Sequence, residues 1–234
     1  MSKPRVLMLS SSRAGNEDYL ESAIPHIGKF LDGVTEVIFM PFAGVTLSWD
    51  DYTEKVQQAL PQLTITGIHQ TPDPTEAIRK TQAILVGGGN TFNLLNELQI
   101  RGLDIEIQQA IDDGCGYIGW SAGSNICGLS IKTTNDMPIV EPKSFKALSF
   151  VPFQLNPHYC DYQPEGFNGE TRDQRIAEFG VLNPSTPVVG IREGSALLLA
   201  NNQLSLLGEH DAVIFLGNSK TKVRDTQTLT ALLS

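Results

Sequence analysis

Residues 117–128 read YIGWSAGSNICG. An apolar run ends in Gly-Trp-Ser-Ala-Gly and helix-compatible residues follow, so a buried strand over 116–120 is expected to turn sharply into a helix at Ser121. Residues 119–123 fit the pattern G-x-S-x-G, in which the chain turns so tightly that side chains two positions either side of the serine would collide. Such a turn lifts the serine hydroxyl off the carboxyl edge of the sheet. It also brings the N–H of Ala122 to the same space, where it can stabilise a developing oxyanion. A serine that only caps the following helix has the same local signature.

Working outward, the same alternation recurs. Apolar runs at 5–10 (RVLMLS), 36–41 (EVIFMP), 64–69 (TITGIH) and 83–87 (AILVG) read as further strands. Several lack strict polar alternation, as parallel strands covered on both faces do. Helical patterns lie between them at 17–31, 49–60, 74–81 and 91–113, with Asp73 as an N-cap for the third and Gly102 interrupting the fourth. Further along, strands are expected at 150–156 and 187–191, with a helix at 171–179 between them. The run ALLLANNQLSLLG (196–208) reads as a hairpin, because paired Asn201 and Asn202 tolerate positive φ. Repeated β-α units predict a single three-layer αβα domain over residues 1–234, with a mostly parallel sheet and a late hairpin.

The 234 residues carry 41% hydrophobic and 18% charged side chains and a formal net charge of −9. That balance suits one globular domain and argues against a duplex-binding surface, which needs clustered Lys and Arg. No signal-peptide pattern and no apolar run long enough to cross a bilayer is read in the sequence. Cys115, Cys127 and Cys160 lack metal-ligand spacing and read as reduced thiols, so the expected location is the cytoplasm, with no nucleic-acid or membrane partner. The oligomeric state is left open.

A serine hydroxyl needs a base to act near neutral pH. Of the four histidines, His26 and His69 fall within structural patterns. His158, in LNPHYC just past a strand, is favoured as the base over His210 in GEHDAV. Two acids can orient the imidazole: Asp136 in TTNDMP and Glu193 in GIREGS. The glycine run VGGGNT (86–91) also follows a strand and opens a helix. Gly88 or Gly89 is placed to give a second oxyanion donor, and no phosphate-loop spacing follows.

Taken in order, ILVGGGNTFNLL, GYIGWSAGSNI, QLNPHY, FNGETRDQRI and VVGIREGSAL resemble the peptidase E family, the α-aspartyl dipeptidases among the serine peptidases. The resemblance spans nearly the whole chain. It implies a flavodoxin-like fold related to class I glutamine amidotransferases. It further implies Ser121 as nucleophile, His158 as base and Asp136 as the usual third member, with Glu193 as its rival. The implied reaction is hydrolysis of dipeptides with an N-terminal aspartate, without metal or cofactor. The aspartate side chain then needs a cation. Arg172 is the first candidate, since a guanidinium grips carboxylate bidentately, and Arg175 and Arg192 are weaker ones. Asn90 and Glu193 are further substrate-binding candidates, and Glu170 or Glu193 is considered for the free amine. The competing readings are a cyanophycinase-like β-aspartyl peptidase, an α/β-hydrolase esterase using His210, and a flavodoxin-like binding module without activity.

Overall fold

Five short strands are apolar almost throughout: β1 (Arg5–Leu9), β2 (Glu36–Met40), β3 (Thr64–Gly67), β4 (Ala83–Val86) and β5 (Gly116–Trp120). In the computed structural model, which describes residues 3–166 and 168–234, all five run parallel in one sheet. Alternate side chains face opposite ways, as the pleat requires. Val6, Met8, Ile84, Val86 and Tyr117 enter one apolar cluster; Leu7, Leu9, Leu85, Ile118 and Trp120 enter the other.

Helices cover both faces. Ile27 and Phe30 of α1 (Ile24–Phe30) and Tyr52 and Val56 of α2 (Trp49–Ala59) close one cluster. The other is closed by Ile78 of α3 (Pro74–Lys80), Leu94 and Leu98 of α4 (Thr91–Arg101), and Ile107 and Ile111 of α5 (Leu103–Asp112). Asp73 caps α3 by accepting from the Glu76 N–H, and Gly102 separates α4 from α5 in a left-handed conformation at φ 70°. Only a residue without Cβ adopts that turn freely. After β5 comes a single turn of helix, α6 (Ala122–Asn125).

The second half contributes β6 (Gln154–Asn156), α7 (Arg172–Leu182), β7 (Val188–Gly190), β8 (Ala196–Ala200), β9 (Gln203–Leu207), β10 (Ala212–Leu216), β11 (Ser219–Val223) and α8 (Thr226–Ala231). The main sheet has seven strands in the order β3-β2-β4-β5-β1-β8-β9, with β8 antiparallel to β1 and paired to β9 as the expected hairpin. The parallel part, 3-2-4-5-1, is the flavodoxin order 2-1-3-4-5 with the chain's first strand in the last place. That permutation puts the carboxyl end of β1 directly beside that of β5, where Leu9 pairs with Trp120.

A second sheet of four strands, β11-β10-β7-β6, was not anticipated from the sequence. Its strands are short, and β6 and β7 pair in parallel although far apart in the chain. Three expected elements are shorter. The helix expected at 17–31 begins only at a 3₁₀ turn (Glu21–Ala23) followed by α1, because Leu20 is left-handed and its N–H bonds to Ser12 O at 2.7 Å. The strand at 64–69 stops at Gly67, where a Cβ would lie 2.4 Å from the His69 ring folded back in a 3₁₀ turn. The strand at 150–156 is ordered only over β6, since the N–H groups of Phe150 and Val151 are taken by Cys127 O. No helix among the described residues is long and apolar enough to cross a membrane.

The hairpin turn is testable. Asn201 and Asn202 stand at φ 53° and 59°, a conformation that costs a branched side chain about 1–2 kcal/mol. Asn202→Val is expected to lower unfolding stability by about that amount in urea titration, whereas Asn202→Gly leaves it equal or raised.

Candidate active site

The turn after β5 is built as tightly as its glycines suggested. Ser121 sits at φ 53° and ψ −112°, and its N–H bonds to Leu9 O at 3.2 Å. A Cβ on Gly119 would lie 2.3 Å from Gly123 O, and one on Gly123 would lie 2.2 Å from Val86 O. Neither position accepts even a methyl group. The Ser124 hydroxyl bridges Leu9 O at 2.6 Å and Gly119 O at 2.8 Å, pinning the turn from inside. Backbone so far from the populated regions costs about 1–3 kcal/mol and persists only where its surroundings hold it.

The glycine run packs against this turn. A Cβ on Gly88 would meet Ser121 Cβ at 2.9 Å, and Gly89 has φ 139° with Ala43 O 2.2 Å from where its Cβ would stand. Gly87 and Asn90 spend their N–H groups on Met40 O and Ala43 O, which fixes the two glycines between them. The N–H of Ala122 begins α6, where it has no intrahelical acceptor.

Two segments of the second sheet reach the same rim. His158 follows β6 and Glu193 follows β7, so parallel pairing of those strands delivers both side chains to one end. His158 Nε2 lies 3.0 Å from Ser121 Oγ, and its Nδ1 lies 2.6 Å from Glu193 Oε1. Serine, imidazole and carboxylate thus form one continuous chain of contacts. Of the two acids weighed from the sequence, the imidazole contacts Glu193, the rival third member, and not Asp136.

Asp136 is held elsewhere. Its Oδ2 accepts from Thr91 N–H at 2.7 Å, from the Thr91 hydroxyl at 2.6 Å and from the Thr134 hydroxyl at 3.2 Å. That leaves Oδ1 without a protein partner among the described residues. Asp136 also lines a cavity of about 190 Å³ whose wall includes Ser121, Ala122, His158 and Arg172. Arg172 opens α7 and is half-buried there. Burial first, and then the charge of neighbouring Arg175, pull its guanidinium below its ordinary value. An arginine stays protonated regardless, so it stands as a cation with no ion pair among the described residues, with the Asp136 charge nearby.

The other arginines weighed from the sequence are committed. Arg175 pairs with Glu170 at 2.7 Å, and Arg192 grips Asp161 with both terminal nitrogens at 2.7 and 2.8 Å. Glu170 is thereby also occupied. Asn90 caps α4 and donates to Met137 O at 2.9 Å, so both ends of its amide are used and it lines neither cavity beside Ser121. Glu193, engaged with the imidazole, lines neither as well.

His210, the alternative base, is exposed and lines a separate depression with Asp161 and Lys222. His69 bonds to Asp50 at 3.0 Å, in the structural role expected of it. Cys127 lies beyond the end of α6 rather than within it, and burial pushes its thiol well up from the usual range. Burial raises Cys115 to about 12. Neither thiol is activated.

Sequence reasoning missed two positioning residues. Ser10, fully buried after β1, accepts the His158 N–H at 2.9 Å and donates to Ile191 O at 2.7 Å. Asn125 of α6 donates to Leu155 O at 2.8 Å, tying the helix after Ser121 to the strand before His158. A signal existed for the first: three serines follow an apolar strand at residues 10–12.

The sequence model of peptidase family S51 matches residues 6–207. A protein named peptidase E from Shewanella amazonensis is 53% identical over 216 residues, 92% of each chain. Another peptidase E, from Shewanella sp. strain MR-4, is 54% identical over the same length. Among solved structures, a candidate peptidase E from Listeria monocytogenes EGD-e superposes with a TM-score of 0.62 at 25% identity, covering 96% of this chain and 100% of that one. A peptidase from an acI-B1 Actinobacterium superposes at 0.68 with 14% identity, covering 95% and 94%.

Two substitutions probe the scaffold. Gly123→Ala forces the turn away from Val86 O and is expected to cost about 1–3 kcal/mol by overpacking, with labelling of Ser121 by a fluorophosphonate lost. Ser10→Ala leaves the His158 N–H and the Ile191 carbonyl without their partner, at a cost of about 1–3 kcal/mol in urea unfolding. Labelling should slow in parallel; unchanged stability and labelling would remove Ser10 from its positioning role.

Proposed function

The chain belongs to peptidase family S51 and is therefore a peptide hydrolase, and from that premise we propose that it is a serine dipeptidase cleaving Asp-X dipeptides through an acyl-enzyme on Ser121. The observation that carries this reading is the pair of contacts on one imidazole, 3.0 Å to Ser121 Oγ and 2.6 Å to Glu193 Oε1.

The chemistry follows from those contacts. Glu193 accepts the Nδ1 proton and fixes the tautomer in which Nε2 is free to act as a base. As Ser121 Oγ attacks the scissile carbonyl, its proton passes to Nε2, and the imidazolium is stabilised by the carboxylate. Negative charge moves onto the carbonyl oxygen, where the N–H groups of Ala122 and of Gly88 or Gly89 receive it. Collapse expels the amine of X, which takes the proton from His158. Water, deprotonated by the same nitrogen, then attacks the aspartyl ester and frees Ser121.

Selectivity is read from charge. An N-terminal aspartate presents a carboxylate and an ammonium close together. The cavity beside Ser121 offers the unpaired Arg172 guanidinium for the first and the free Oδ1 of Asp136 for the second. A volume of about 190 Å³ is smaller than the roughly 300–1,000 Å³ of drug-sized pockets, which suits one residue on the acyl side. Three unpaired thiols fit a reducing compartment, and the cytoplasm is proposed as the place of action.

Ser121→Ala is expected to lower kcat on Asp-Leu by several orders of magnitude, measured by release of leucine; equal rates would refute the assignment. Glu193→Gln should lower kcat by about 10²–10⁴ with KM little changed. Asp136→Asn and Arg172→Met should act chiefly on KM, each raising it about tenfold to a hundredfold. A kcat effect at Asp136 as large as that at Glu193 would return Asp136 to the catalytic chain.

A further inference from the structure

A dipeptide Asp-X carries a third charge, the carboxylate at its C-terminus. Resting on the function proposed above, we propose that Lys55 binds that carboxylate and thereby limits the enzyme to substrates two residues long. Ser121 and His158 line two cavities. One holds Arg172 and Asp136 and takes the acyl side. The other, about 280 Å³, lies toward Gly88 and Gly89 and is bounded by Tyr19, Leu47, Tyr52 and Lys55. With the carbonyl carbon at Ser121 Oγ, the leaving residue X has this second cavity to occupy.

Its wall is uncharged apart from Lys55 and the titratable His158, among the described residues. Tyr19 and Tyr52 share a hydrogen bond of 3.3 Å, and Trp120 Nε1 donates to Tyr19 at 3.0 Å, so these rings form a fixed floor beside the nucleophile's strand. Lys55 Nζ lies 4.3 Å from the centroid of the Tyr19 ring and makes no ion pair among the described residues. The ring face attracts the ammonium and keeps it over the floor. The nearby carboxylates of α2 are turned to other partners: Asp51 to the Ser48 hydroxyl, Glu54 to the Gln58 amide. An ammonium with three donors and no carboxylate partner among the described residues, in the wall of a leaving-group cavity, matches a terminal carboxylate. A longer peptide presents a neutral amide at that point and forfeits the charge pairing. Leu47 supplies an apolar surface for the side chain of X.

The test compares kcat/KM for Asp-Leu and for Asp-Leu-amide, identical but for the charge. Wild type should prefer the free acid about 10–100-fold, mostly in KM. Lys55→Met should bring the ratio close to one, and Lys55→Arg should restore most of it. The ratio is read within one preparation, so partial misfolding cancels. Equal turnover of both substrates by wild type, or discrimination that survives Lys55→Met, overturns the assignment of Lys55. A wild type inactive on both, or one unaffected by Ser121→Ala, overturns the underlying function and this assignment with it.

Discussion

The Ser10 hydroxyl is the joint between the two sheets. It accepts the backbone N–H of His158 and donates to Ile191 O, while the Ser10 N–H bonds to Ser195 O at 3.0 Å. One residue just past β1 therefore fixes His158 beyond β6 and Ile191 beyond β7 through its side chain, and the approach to β8 through its backbone. The nucleophile hangs from the neighbouring position, since the Ser121 N–H bonds to Leu9 O. His158 and Ser121 are thus both referenced to Leu9 and Ser10, the last residue of β1 and the one after it. A buried hydroxyl with both its functions satisfied has little freedom to drift.

Strand direction does the rest. The catalytic rim of a parallel sheet lies at its carboxyl ends, and β8 starts at that rim because it runs antiparallel to β1, pairing Ala196 with Leu9. The segment entering β8 must therefore cross the rim, and Glu193 lies in it. A parallel strand there would have delivered its carboxyl end instead. Asp136 sits on a loop braced by Thr91 and Thr134 at the start of α4, on the other side of the nucleophile. The two acids divide accordingly, one to the imidazole and one to the wall of the cavity shared with Arg172.

Charge is distributed unevenly among the arginines near the cleft. Arg172 has no ion pair among the described residues, while Arg175 and Arg192 are neutralised by Glu170 and Asp161. Leaving a half-buried guanidinium without a carboxylate costs desolvation that only a ligand returns. The net charge of −9 does not prevent this, because the field that matters is local to the cleft.

The local grammar of the chain was legible in sequence. G-x-S-x-G sites such as residues 119–123 admit no Cβ two positions from the serine, Asp73 caps a helix, Gly102 breaks one, and Asn201-Asn202 turns a hairpin; each is a constraint within a few residues, carried by the identity of the residues themselves. Long-range pairing was not legible. Strands of three residues, as in β6 and β7, have no periodicity to read, and their partnership joins positions 34 residues apart, Gln154 with Val188. The sequence by itself determined the tight turn that presents Ser121, the short list of histidines and acids that could join it, and the β-α rhythm of the first half. Only the tertiary structure decided which acid meets the imidazole, which arginine has no ion pair among the described residues, and what lines the second cavity beside Ser121, because those depend on which strand ends share a rim, a property of sheet order rather than of any short stretch.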